Sequence, residues 1–397
     1  MAQDDSGQNL APPLRIRTIT AGRQLPDLRE TGVLDEDLDF LSAARDEFLD
    51  EGLEVQSVRI ATQPLIGAAD SRSLSEALPA LERIDRQVSD AGALLAIGPV
   101  AHGGGDAASI AEWAAALAQA TSNLSFSISV ASPENGIDSG ALPVAAAVML
   151  ALSSALAGGE ANFRFAAGAN IPPGTPFFPV AVHEGEPSFS LGLESARLVE
   201  LAFAGLSDSQ IAATRLRQVV EERVEPLVAR AETVAKHYSR RFLGIDLSPA
   251  PGLDASIALG IEGLTGVPFG SPSTLGACAT ITRAISSTSL PRCGYSGLML
   301  PVLEDLRLTQ RAAEERFTLN DLLLYSAVCG TGLDVVPIPG DVAPEKLAAI
   351  VGDVAALAHR LQKPLAARLL PIPGKVAGEI VRFDNPYLAD ATVLDVA

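Results

Sequence analysis

The chain has 397 residues, 48% of them hydrophobic, and a formal net charge of −19. That apolar content supports a large core and excludes wholesale disorder, while so acidic a surface repels phosphate backbones and anionic lipid, excluding nucleic acid and membranes as partners. Three scattered cysteines, Cys278, Cys293 and Cys329, make neither a disulfide framework nor a CxxC zinc pair.

Residues 1–13 ("MAQDDSGQNLAPP") are polar and lack a signal-peptide pattern. They read as a disordered arm ahead of a single α/β domain over 14–397, in a reducing, cytoplasmic setting. Strand-like runs then follow at "RIRTITAG", "VQSVRIATQ", "ALLAIGPVA", "LSFSISVAS" and "NFRFAAGANI". Helical periodicity between them includes "DEDLDFLSAARDEFLDEG" and "LSEALPALERIDRQVSDAG". The alanine-rich "ALPVAAAVMLALSSALAGG" is short for a membrane span and predicts a buried helix. Several strands are apolar on both faces, as parallel strands covered by helices are.

The centre, "PPGTPFFPVAVHEGE", has no helical period, and the join across it suits an antiparallel step. A long helical stretch from Ser207 opens at capping-box spacing with Gln210, and Pro226 should kink or split it. Five more strand-like runs are "PSFSLGLE", "FLGIDLSPA", "GYSGLMLPV", "GLDVVPIPG" and "LAARLLPIPG". The count is ten, alternating with helices, which implies parallel pairing and right-handed crossovers. The echo of "VVPIPGD" in "LLPIPGK" reads as two neighbouring strands of one shape rather than a duplication.

Ligands in α/β folds gather at the C-terminal ends of strands. That rule selects Asp246 and Ser248 after "FLGI", Glu304 and Asp305 after "LMLPV", Asp341 after "VVPIPG", Lys375 after "LLPIPG" and His102 after "LAIGPV". Glu304 and Asp305 are adjacent, so from a regular strand they cannot both face one ligand. They read either as ligands of a hard cation or as a helix N-cap. His183 in "FPVAVHEG" reads as a hydrogen-bonded core residue, or else as a ligand or proton carrier. Cys329 in "VCGTG" is the thiol candidate: amides of the turn could depress its pKa, with Gly330 and Gly332 admitting a substrate. The competing reading makes Cys329 an apolar helix end and the glycines its C-cap.

"RIRTIT", "GIDLSPAP", "CGYSGLMLPVLED" and "SAVCGTGLDVVPIPGD" together resemble the family called domain of unknown function 711, from about Leu14 almost to the C-terminus. The resemblance implies a fold like pyruvate formate-lyase: a ten-stranded α/β barrel of two five-stranded parallel halves running in opposite senses. In such enzymes a hairpin carrying a catalytic cysteine enters the barrel, and Cys329 is the implied equivalent. Arg292, Gly294 and Tyr295 in "RCGYSG" loosely follow the glycyl-radical loop but lie far too early in the chain, so stored-radical chemistry is not expected. The resemblance also implies a small ACT-domain protein as partner.

Two functions remain open. One is a hydrolase or lyase acting on a small metabolite. Its catalytic residues would be Cys329, His183, Asp334 and Asp341, its substrate contacts Ser248, Gly330, Gly332 and Lys375, and Asp246, Glu304 and Asp305 would hold a divalent metal ion. The other is a non-catalytic small-molecule sensor or regulatory binding protein using the same pocket and working with the ACT-domain partner; a homo-oligomer is open in either case.

Overall fold

The computed structural model describes residues 13–64, 71–101 and 105–396. Residues 1–12 of the expected arm and His102 lie outside the described residues. The first part alternates: β1 (Arg15–Arg23), α1 (Gly32–Asp50), β2 (Val58–Thr62), α2 (Ser71–Asp90), β3 (Ala93–Pro99), α3 (Ala107–Ala120) and β4 (Leu124–Ser132). A two-residue β5 (Gly136–Ile137), α4 (Ala141–Ala155) and β6 (Phe165–Ala169) complete it. After the helix-free centre come β7 (Ser188–Glu194), α5 (Ala196–Phe203), α6 (Ser209–His237), β8 (Arg241–Ala250), α7 (Ile257–Thr265) and α8 (Thr274–Ser286). Then follow α9 (Leu306–Ala313), α10 (Leu319–Ser326), β9 (Gly332–Pro339), α11 (Pro344–Leu361), β10 (Leu365–Ile372) and a small hairpin, β11 (Ile380–Val381) with β12 (Ala391–Thr392).

The strands form one mixed sheet in the order β8-β7-β1-β2-β3-β4-β6-β10-β9, with β5 beside β4. β1, β2, β3, β4 and β6 are mutually parallel. β7 lies antiparallel to β1, and β10 antiparallel to β6. β8 follows β7 and β9 follows β10 in parallel. The sense therefore reverses across residues 170–187, as the missing helical period there suggests. β9 and β10, which carry the echoed motif, are indeed neighbours, with Leu370 opposite Pro337.

Alternation along the strands divides the sheet into two faces. Ile16 and Ile19 of β1, Ile60 of β2, Leu95 of β3 and Phe126 of β4 join the helices in the main core, where each buried large side chain stabilises by roughly 1.5–3 kcal/mol. The other face carries small or polar groups, and residues 170–187 cross it. Thr20 Oγ1 donates to Pro176 O at 3.0 Å, His183 N to Thr62 O at 3.0 Å, and Ala61 and Ala96 pack on Ala181.

Among the described residues no ladder joins β8 to β9, the two ends of the strand order, and three expectations are corrected. The second set supplies four strands rather than five among the described residues. "GYSGLMLPV" forms no strand: residues 292–301 touch the sheet through single parallel bridges, Ile245 with Arg292 and Pro301 with Asp334. The cause is local. Gly294 and Ser296 have φ of 60° and 41°, and the amides of Tyr295 and Ser296 donate to the Asp246 carboxylate at 2.7 and 2.9 Å instead of to a strand. α6 begins at Asp208, whose side chain caps Gln210 N and Ile211 N, not at a Ser207 box. Nor does Pro226 split α6. It sits on the exposed side, where water can serve the carbonyl it leaves unpaired. The alanine-rich segment is the buried α4, and among the described residues no helix is long and apolar enough to cross a membrane.

Asp246 also accepts from Ser248 N and Oγ, so it staples residues 295–296 to β8. Asp246→Asn replaces one acceptor with a donor facing donors and should cost about 3 kcal/mol. Urea unfolding should show a lower midpoint at unchanged m-value.

Candidate functional site

Strand alternation puts Arg17 of β1, Arg59 of β2 and Arg368 of β10 on the face away from the main core. Arg17, Arg59 and Arg368 line one cavity of about 370 Å³. β3, β4, β6, β8 and β9 contribute Leu94, Ser125, Ala166, Ala250 and Asp334 to the same cavity. Walls drawn from almost the whole strand order mean that the sheet curves around it. Phe177 and Phe178 fill one side, and Asn385 to Tyr387 cover another.

Most of the charge is paired. Arg17 bonds Glu304 and donates to Pro251 O at 2.8 Å. Arg368 meets Glu304 at 3.5 Å and Asp334 at 3.2 Å. Burial works against the Arg17 cation, but Glu304 and Glu194 more than offset it, and its pKa rises. Burial raises the Asp334 carboxyl, with the Arg368 charge opposing. The Tyr295 phenol is raised well above its usual range by burial, then by the charges of Asp334 and Asp246.

Arg59 is different. Its Nε donates to Ser57 Oγ at 3.0 Å, and its guanidinium lies 4.9 Å from the Phe178 ring centroid. Among the described residues no carboxylate pairs with it. Burial, then the Arg17 and Arg368 cations, destabilise its charge. Two further polar atoms on the cavity residues are buried without a hydrogen-bond partner, Thr331 Oγ1 and Arg368 Nε.

Of the residues expected from sequence, Glu304 and Asp334 meet at this cavity. The rest have other surroundings. Asp305 is fully buried and caps two helices, accepting from Ile257 N and Ala258 N of α7 and from Arg307 N and Leu308 N of α9. With Asp246 enclosed by amides and Glu304 by guanidiniums, the metal trio does not converge. Among the described residues no group of three or more His, Cys, Asp or Glu could hold a metal ion. Ser248 bonds Asp246 and accepts from Gly297 N. His183 is a core histidine, its Nε2 3.0 Å from Gly185 O and its Nδ1 3.3 Å from Ser188 Oγ. Cys329 is 1% exposed in the main core, and Lys363 Nζ donates to its carbonyl at 2.6 Å.

Gly330 and Gly332 serve close backbone approach: a Cβ on the first would strike Gly297, and on the second Ala366 O. Asp341 is exposed in the turn after β9. Lys375 accepts from Gly340 N through its carbonyl and is 3.9 Å from Glu379. Sequence reasoning missed Arg17, Arg59, Arg368, Tyr295 and Thr331. The signal was present as arginines set in otherwise apolar runs, two in "RIRTIT" and one each in "SVRIAT" and "AARLLP".

Burial lowers the His183 pKa against the bond to Gly185. The unfolded chain takes up a proton near pH 6.5 that the folded chain refuses, so stability is full above that pH and falls as pH drops below it. Thermal or urea unfolding between pH 7 and 5 should show this loss. His183→Asn should reduce its slope by up to about 1.4 kcal/mol per pH unit.

A model of the family described as Uncharacterised ACR (DUF711) matches residues 11–384. A UPF0210 protein of Pyrobaculum arsenaticum is 33% identical over 361 residues, covering 85% of this chain and 78% of that protein. Another from Halothermothrix orenii is 26% identical over 415 residues, covering 97% and 91%. A third, from Methanosarcina acetivorans, is 27% identical over 415 residues, covering 97% and 89%.

Proposed function

The chain belongs to the family described as Uncharacterised ACR (DUF711), and for it we propose an enzyme that binds a small anionic metabolite in the interior cavity and transfers a proton on it. Arg59 carries this reading: a cation lining the cavity with no acidic partner among the described residues. A buried charge left unpaired costs stability, and an anion in the cavity would repay that cost with a short, poorly screened attraction. Carboxylate and phosphate share the chemistry that fits. Asp334 is the proton carrier of the proposal, its pKa raised by burial in the direction a general acid needs.

A closed barrel of the pyruvate formate-lyase kind is the fold we propose around this site, with residues 292–301 as the closing segment. The opposite senses of the two strand sets and the two single bridges support it. The segment that crosses the inner face, 170–187, carries Phe177 and Phe178 and has no cysteine. A thiol step is therefore no part of the proposal, and Cys329 is given no catalytic role.

A thermal-shift screen of small carboxylates and phosphates tests the reading. Some anion should raise the wild-type melting temperature, as ligands of the folded state do. Arg59→Gln should bind it roughly 10–100-fold more weakly, the value of one charge-assisted hydrogen bond, while the free variant melts no lower than wild type. Turnover lost in Asp334→Asn with binding kept marks an enzyme; binding without turnover in wild type marks a sensor. If no anion shifts wild type, or Arg59→Gln binds equally well, the anion site is wrong.

A further inference from the structure

Buried hydroxyls in folded proteins almost always find a partner, and among the described residues Thr331 has none. The residue is 2% exposed, lines the interior cavity, and its Oγ1 makes no hydrogen bond. Its backbone is pinned on both sides. Gly330 N donates to Leu298 O at 2.7 Å, and Ala366 N donates to Thr331 O at 2.8 Å. The flanking glycines press against Gly297 and Ala366 with no room for a Cβ. The backbone here is held in place at a residue that lines the cavity, and among the described residues no protein group answers the hydroxyl.

Two more oxygen groups line the same cavity, the Tyr295 phenol and the Asp334 carboxyl. Arg59 projects from β2, and β3, β4, β6 and β10 separate β2 from β9 in the sheet. The lining also includes the apolar Phe177, Val180 and Met299. The cavity thus offers a cation, an apolar stretch and an oxygen-binding arc. The charge count is close: four guanidiniums, Arg17, Arg59, Arg164 and Arg368, against three carboxylates, Glu160, Glu304 and Asp334, which leaves one positive charge when Asp334 is ionised. Arg164 is already held by the carbonyls of Ala118, Thr121 and Leu124.

We infer that the ligand is a small monocarboxylic acid bearing a hydroxyl or carbonyl oxygen away from its carboxylate, the carboxylate bound at Arg59 and the second oxygen at Thr331. The inference rests on the anion-site reading and specifies its substrate class. A buried polar group left unpaired by the wrong ligand is what makes such sites selective for an added oxygen.

Isothermal titration of straight-chain carboxylic acids against their hydroxy and oxo counterparts of equal length tests it, with the phosphate esters of the same hydroxy acids as a third arm. The oxygenated acids should bind wild type roughly 10–100-fold tighter than the plain ones. Thr331→Val, nearly the same shape, should bind both alike, at the plain acid's affinity, and melt no lower than wild type. Arg59→Gln should lose both classes. Equal binding of plain and oxygenated acids by wild type overturns the inference while leaving the anion site standing, as does a preference that survives in Thr331→Val. Binding of the phosphate esters alone overturns the choice of a monocarboxylate. Failure of every arm overturns the anion site itself.

Discussion

Arg17, Glu304, Arg368 and Asp334 form one chain of buried charge joining β1, the turn ahead of α9, β10 and β9. Each ion removed from water costs several kcal/mol unless it meets an opposite charge in good geometry. Arg17 and Glu304 stand 287 residues apart in sequence, so their pairing exists only once the first and second strand sets share a sheet. The same requirement gives the inner face its character. Having enclosed these groups, the fold has a near-balanced interior in which one additional charge, that of Arg59, is decisive.

That interior contrasts with the exterior. A chain of net charge −19 presents a field that disfavours approaching anions, though at physiological salt the field fades within about 8 Å. Recognition of an acid must then come from close contacts inside the cavity rather than from long-range steering. The stacking of Arg59 on Phe178 suits that task, since a guanidinium held on a ring face loses less freedom when it binds.

Much of the architecture was legible because burial on both faces leaves a strong apolar signature; "LSFSISVAS" coincides with β4 (Leu124–Ser132). "GYSGLMLPV" is also largely apolar and failed, because its amides go to a side chain and its glycine and serine turn left-handed. For the site, the rule that ligands sit at strand C-termini found Glu304 and missed the arginines, while Asp334 was named apart from that rule. At this cavity the rule fails for most strands. Arg59, Leu94, Ser125 and Ala166 are each the second residue of their strand, whereas Ala250 is the last of β8. Cys329 attracted notice because thiols are scarce, but reactivity follows surroundings, and its surroundings are core. Thr331 stood unnoticed between two glycines chosen for the wrong reason.

Glu304 and Asp305 are consecutive, yet one faces the cavity while the other ties together the N-termini of α7 and α9. The peptide that carries the cavity's central acid is therefore bolted to two helices at once. An incoming molecule cannot easily push that carboxylate aside; it must conform to a template already cast, so discrimination here comes from rigidity rather than from accommodation.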